Sequence, residues 1–209
     1  MNRLNNSSLR NIIFSRGSTL VEVIVAVILL TLGVLALMAT QLRAVTGISE
    51  AETRTIISQS AESLADSMLM NPELESASSA NGDTYNRSYL KHYLTSAKKI
   101  TQSAGGFSPN SNGNSKSEFA NIYKNQFETE LYNKLIAPES SNIQTISYTI
   151  CADKSKPDNP TLDNSGTMDG KCSGNDITAI KIAWRVKTAN GTNKNGDSTD
   201  YSYILKVAD

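Results

Sequence analysis

The sequence predicts an α+β fold in which a long N-terminal helix, from about residue 18 to residue 70, packs against a small antiparallel sheet. Two observations support this prediction. Residues 23–42 contain no charged side chain, and apolar positions at helical spacing continue beyond them to Met68. The C-terminal part of the chain contains three segments in which apolar residues alternate with a period of two. The sheet is therefore expected in a C-terminal head.

The apolar run is long enough to cross a membrane. At about 1.5 Å per residue, residues 23–42 cover about 30 Å of hydrocarbon. Arg3, Arg10 and Arg16 precede the run, and acidic residues follow it. The positive-inside rule therefore predicts a cytoplasmic N-terminus and an external C-terminal part.

Helical spacing continues after the apolar run. Ile57, Ala61, Leu64 and Met68 form one apolar stripe, and no proline interrupts the pattern before Pro72. We expect residues 18–42 to lie in the membrane. Residues 43–209, which include the amphipathic half of the helix, are expected to form the external head.

Gly17 and Glu22 stand at the start of this helix. A carboxylate in a transmembrane segment is costly, so Glu22 is expected to have a positively charged partner rather than only to reach the lipid headgroups. Residues 17–22, GSTLVE, resemble the type IV prepilin processing motif, in which glutamate is fifth after the cut. The resemblance implies that a prepilin peptidase cuts between Gly17 and Ser18, releases leader residues 1–17, and methylates the amine of Ser18. Ser18 stands where family members usually have Phe or Met.

Two further blocks resemble the PilV (PilI) kind of minor pilin: LGVLALMATQLRA at 32–44 and SAESLADSMLMNP at 60–72. The resemblance implies a type IV pilin fold and a non-enzymatic subunit that promotes assembly of a bacterial type IV pilus. Glu22 would pair with the N-terminal amine of a neighbouring subunit. The implied partners are other minor and major pilins, the prepilin peptidase, the inner-membrane assembly machinery and membrane lipid. The subunit would reside in the inner membrane and then in the filament, where residues 18–42 would lie in the filament core and the tip is one location for the subunit.

Residues 73–116 are rich in Ser, Asn, Gly and Lys, which predicts a surface segment with a short helix near residues 89–100. Ser115 and Glu118 have capping-box spacing and predict a second helix that ends at Ala137-Pro138. The apolar face expected for this helix is formed by Phe119, Ile122, Tyr123, Leu131 and Leu135.

Three strands are predicted, at residues 143–150, 177–187 and 201–207. Asn-Gly pairs at 190–191 and 195–196 mark the connection between the last two. The middle strand places Ile180, Ile182, Trp184 and Val186 on one face, which is expected to pack on the helix stripe. Trp184 is therefore predicted to lie in the core.

Cys151 and Cys172 flank a polar loop of about 20 residues between the first two strands. Because an exported head is in an oxidising compartment, a disulfide is favoured over free thiols or metal ligands. The aspartates of this loop lack the spacing of an EF-hand, and lysines lie among them, so a solvated mixed-charge surface is expected instead of a calcium site. His92 is expected to be a solvated surface residue. No metal or cofactor is predicted. The loop aspartates are Asp153, Asp158, Asp163 and Asp169.

The charge balance disfavours nucleic-acid binding. The chain has 20 Lys+Arg and 20 Asp+Glu; removing the three arginines of the leader leaves 17 basic residues against 20 acidic ones, a formal net charge of −3. A basic pilin that takes up DNA would need a local patch, for which Lys91, Lys98 and Lys99 are the candidates. No nucleophile elbow, phosphate loop or paired carboxylates are identifiable, so no enzymatic activity is predicted.

Two other functions remain open. An I-type pseudopilin of a type II secretion system would share Gly17, Glu22 and the helix, but such pseudopilins tend to have shorter heads. A membrane-anchored extracytoplasmic binding domain or adhesin would use the helix only as an anchor. This second alternative predicts no cleavage at Gly17 and no role for Glu22.

Overall fold

The structure, a computed structural model, describes residues 18–79, 82–104, 115–139, 141–187 and 198–208. The predicted leader, Gly17 and most of the predicted glycine-containing turns lie outside these ranges, so the interpretations placed on them stay predictions. The chain divides into two compact units, an N-terminal unit of residues 1–50 and a C-terminal unit of residues 51–209.

A single long helix, α1, covers Ser18–Met70, as the hydropathy pattern predicts. It ends before Asn71-Pro72, where the Asn71 N–H donates to the carbonyl oxygen of Met68 at 3.2 Å. Proline has no backbone N–H and cannot continue the helical hydrogen-bond pattern, which accounts for this end point.

The C-terminal unit adds a second helix and eight described strands. In chain order these are β1 Glu73–Ser79, β2 Gly82–Ser88, β3 Thr95–Lys99, α2 Lys116–Leu131, β4 Ile143–Asp153, β5 Thr161–Leu162, β6 Met168–Asp169, β7 Ile177–Lys187 and β8 Ser198–Ala208. A π-helical turn, Tyr132–Ile136, extends α2. The main sheet is antiparallel, with strand order β3-β4-β7-β8. The long helix and the C-terminal antiparallel sheet make the chain α+β.

The core forms between the sheet and the second half of α1. Ile57, Ala61, Leu64 and Met68 are buried, as the stripe predicts, and they belong to one cluster with the apolar residues of β4 and β7. Trp184 is also buried in this cluster, which confirms its predicted place in the core. The register between β4 and β7 is continuous from Thr145 to Asp153.

Helix α2 begins with the predicted capping box, but its predicted apolar face is partly wrong. Ser115 Oγ accepts from the Glu118 N–H at 3.3 Å, and Glu118 Oε2 accepts from the Ser115 N–H at 2.7 Å. Phe119 is 42% exposed, whereas Ala120 and Phe127 are buried. Adjacent helical residues differ by about 100° in direction, so two neighbouring faces can satisfy the same sequence spacing, and packing selects between them.

Residues 73–116 were predicted to be a surface segment with a short helix near residues 89–100, and the helix is wrong. The residues of β3 after Thr95 are exposed, as expected of a surface segment, but the described residues of 73–100 form no helix. They contain the antiparallel hairpin of β1 and β2, from Glu73↔Ser88 to Ser79↔Gly82, and the edge strand β3. The hairpin is polar along most of its length, so it has no apolar alternation to reveal it. Strand β3, TSAKK, contains no large apolar residue, and its pairing with β4 places it.

Candidate functional site

The N-terminal unit exposes its apolar side chains. The large apolar residues from Leu20 to Leu42 are all at least two-fifths exposed, and Leu42 is 70% exposed. Burying one such side chain is worth about 1.5–3 kcal/mol, so water is an unfavourable environment for this surface. Among the described residues, α1 is the one helix long and apolar enough to cross a membrane.

The threonine hydroxyls in this apolar part of α1 are satisfied within the helix. Thr31 Oγ1 donates to the carbonyl oxygen of Ile28, and Thr40 Oγ1 donates to that of Leu37, both at 2.8 Å. Neither hydroxyl therefore needs water as a partner. This arrangement suits a hydrocarbon or protein environment, where an unsatisfied hydroxyl would be costly.

Glu22 is exposed near the start of α1 and has no ion-pair partner among the described residues. Gly33 and Thr40 lie about three and five helical turns beyond it, so all three share one face of the helix. A Cβ added at Gly33 would meet nothing within 4 Å. The backbone of a neighbouring helix could therefore approach this face closely at Gly33.

In the C-terminal unit, Cys151 and Cys172 form a disulfide, as predicted. The bond joins β4 to the loop before β7 across a sequence separation of 21 residues. On the loop-entropy model, a crosslink of this length is worth roughly 3 kcal/mol.

Asp153 was predicted to lie on a solvated loop surface, and this prediction is wrong. Asp153 and Lys181 are both completely buried and form an ion pair. Lys181 Nζ also donates to the carbonyl oxygens of Asp158, Gly170 and Lys171, at 3.0, 2.9 and 3.1 Å. Burial opposes ionisation of Asp153, but Lys181 and the backbone N–H groups of Lys154 and Ser173 outweigh it and lower the pKa of Asp153.

The other three aspartates of the loop serve local structure. Asp158 pairs with Lys154 at 2.9 Å, Asp163 Oδ1 accepts from two N–H groups of its own turn, and Asp169 Oδ1 accepts from the Lys171 N–H. Within the described ranges, no group of three or more His, Cys, Asp or Glu residues is placed to hold a metal ion.

His92 was predicted to be solvated, but it is half-buried against Glu73, with 3.2 Å between His92 Nε2 and Glu73 Oε2. The hydrogen bond to His92, and then that to Lys116, lower the pKa of Glu73. Lys116 Nζ also donates to the Pro72 carbonyl oxygen at 2.6 Å, and Asn71 Nδ2 donates to the Lys116 carbonyl oxygen at 2.9 Å. The Asn-Pro segment thus connects the end of α1 to the start of α2.

Two of the three lysines considered for DNA binding lie beside acids. Lys98 Nζ contacts both carboxylate oxygens of Glu128, at 2.7 and 2.8 Å, and Lys91 lies 3.7 Å from Glu73. Tyr148 donates to Glu128 Oε1 at 2.5 Å, and burial, followed by this contact, raises the pKa of Tyr148. These lysines therefore do not form an isolated basic patch.

Sequence reasoning missed Lys181 as a buried charge. The signal was present, because residues 177–184 are apolar at both odd and even positions, apart from Thr178 and Lys181. A strand with this pattern is covered on both faces, so a lysine at its centre is expected to be buried and to need a carboxylate. Nothing in the spacing indicated which of the loop aspartates would supply it.

Comparisons with protein-family models, curated proteins and solved structures found no match for the chain. The function is therefore argued from the chain's own motifs and contacts.

Proposed function

We propose that this protein is a minor pilin of a bacterial type IV pilus, made as a prepilin, cleaved after Gly17, and assembled through α1. The observation that carries the proposal is the combination of the Gly17-Ser18 and Glu22 motif with a helix whose apolar side chains are exposed for more than 20 residues. A helix of this kind has to be covered by lipid or by other helices. The inner membrane would supply the lipid, and a filament core made of such helices would supply the neighbouring helices.

The face of α1 that carries Glu22 supports helix packing as well as membrane anchoring. Small residues at Gly33 and Thr40 share this face, so the backbone of a neighbouring helix could come close at these two positions. A carboxylate in an apolar bundle needs an opposite charge. The free amine that cleavage would create at Ser18 of a neighbouring subunit has the required charge and the required depth.

In this proposal the protein acts by packing and not by catalysis. It would be held in the inner membrane with a cytoplasmic N-terminus, bound there by the assembly machinery, and then incorporated beside other minor and major pilins. The C-terminal unit would remain outside the membrane. Its disulfide suits a domain that must stay folded outside the cell.

The first test is the intact mass of the full-length protein from cells with and without the prepilin peptidase. We expect loss of the mass of residues 1–17 only when the peptidase is present. Gly17→Val should leave the chain uncut, because the side chain would occupy the cleavage position. An uncut wild-type chain in cells with active peptidase would contradict the proposal and favour the anchored binding domain.

The second test separates anchoring from assembly. Glu22→Ala should reduce the number of surface pili and the amount of this protein in sheared filaments, while its amount in the membrane stays the same. Glu52→Ala is the matched control, because Glu52 is an exposed carboxylate later on the same helix. Equal incorporation of both variants would count against the role of Glu22. Normal piliation with loss of type II secretion would instead indicate the pseudopilin alternative.

A further inference from the structure

The side chains of the buried ion pair, Asp153 and Lys181, form hydrogen bonds with the backbone on both sides of Cys172. Lys181 Nζ donates to the carbonyl oxygens of Gly170 and Lys171, the two residues before this cysteine. Asp153 Oδ1 accepts from the N–H of Ser173, the residue after it, at 3.1 Å. The two charged side chains thus hold the segment 170–173 from its two ends.

The same ion pair belongs to the sheet face that carries Cys151. Asp153 follows Cys151 by two residues on β4, so their side chains project to the same face. Lys181 on β7 is directly opposite Thr149, which shares that face. A Cβ added at Gly170 would come within 2.7 Å of Thr149 Cγ2, so the segment lies directly against β4.

We infer that Asp153 and Lys181 are positioning residues for formation of the Cys151–Cys172 disulfide. Their hydrogen bonds to the backbone of residues 170–173 hold Cys172 beside Cys151 before the two sulfur atoms are joined. The reduced chain therefore presents two thiols that are already organised for oxidation. The co-reactant in this step is a thiol–disulfide oxidant.

The reaction has two exchange steps. Cys172 is exposed and Cys151 is buried, so the Cys172 thiolate attacks a sulfur of the oxidant and expels one thiolate. The Cys151 thiolate then attacks Sγ of Cys172 in the mixed disulfide and expels the second thiolate. The protein loses two electrons and two protons, and the oxidant's disulfide is reduced to two thiols. Positioning favours the second step, which requires the two protein sulfurs to meet.

The test uses the full-length protein in detergent micelles, equilibrated with reduced and oxidised glutathione and then alkylated for mass measurement. The double variant Asp153→Val/Lys181→Met removes the hydrogen bonds from both side chains to residues 170–173 without leaving an unpaired buried charge. We expect its equilibrium constant for disulfide formation to fall about tenfold or more. Ile57→Ala is the matched control, because it weakens the core away from residues 170–173 and should leave this constant unchanged at temperatures where it stays folded.

A second measurement uses the wild-type protein, so the inference can fail even if the double variant does not fold. With the disulfide reduced, the Ser173 amide should remain protected from hydrogen exchange, because Asp153 still accepts from it. Exchange of Ser173 at the rate of an unstructured peptide would overturn the inference. So would a double variant that folds and forms its disulfide as readily as the wild type, or an Ile57→Ala variant whose constant falls equally.

Discussion

In the N-terminal unit apolar side chains are exposed, whereas in the C-terminal unit two opposite charges are completely buried. Both arrangements are unfavourable when considered alone. Exposed apolar surface needs a cover, and a buried charge needs a partner within reach. The C-terminal unit supplies that partner itself, since Lys181 meets Asp153 and three carbonyl oxygens.

Among the described residues of the N-terminal unit, no part of the unit covers the exposed apolar side chains. The hydroxyl groups of Thr31 and Thr40 are satisfied within the helix, but the apolar side chains around them are exposed. The difference indicates that the two units depend on different surroundings. The apolar core of the C-terminal unit lies within that unit, while the large apolar side chains from Leu20 to Leu42 are left exposed.

The largest expected effect is on the buried charges. Lys181→Met leaves Asp153 buried without its partner, which should lower the free energy of unfolding of the C-terminal unit by about 3–5 kcal/mol. Adding Asp153→Val should restore most of this loss, because no charge then remains uncompensated. Urea unfolding of the full-length protein in micelles, followed by tryptophan fluorescence from Trp184, measures both. A double variant no more stable than Lys181→Met alone would contradict the prediction that an uncompensated charge causes the loss.

The difference between the two units can be tested by replacing one isoleucine with alanine in each half of α1. Ile57 is completely buried and Ile28 is 51% exposed. Ile57→Ala should cost the C-terminal unit about 2–5 kcal/mol, because it removes buried surface and leaves a cavity. Ile28→Ala should change the same transition by less than about 0.5 kcal/mol. Equal losses in the same urea experiment would contradict the division into two units.

A smaller effect is expected from acid. The pKa of Asp153 is lower in the folded protein than in the unfolded chain, so its carboxylate stabilises the fold above the unfolded pKa of about 3.9. This contribution is lost as the pH falls through the folded pKa. Urea midpoints measured from pH 7 to pH 2 should therefore fall below about pH 4. Because other acids also titrate there, the informative quantity is the difference from Asp153→Asn, which should have the shallower decline; identical declines would contradict the prediction.

Much of the fold could be predicted because its signals are local. Helix α1, the capping box of Ser115 and Glu118, strands β4 and β7, and the burial of Trp184 all follow from spacing along the chain. The hairpin of β1 and β2 could not be predicted, because its polar residues give no periodic signal. The buried face of α2 was predicted only in part: Leu131 and Leu135 are buried as expected, but Phe119 is exposed while Ala120 and Phe127 are buried.

The sequence by itself determined where α1 ends, which of its described residues are apolar, and that Glu22 lies among them. These are consequences of helix geometry, hydropathy and the effect of proline, which depend on neighbours in the chain. Tertiary structure alone decided that Asp153 meets Lys181 and that Glu128 meets Lys98 and Tyr148. Such pairings join residues about 20 to 30 positions apart, so they depend on strand register and on packing, and no local pattern specifies them.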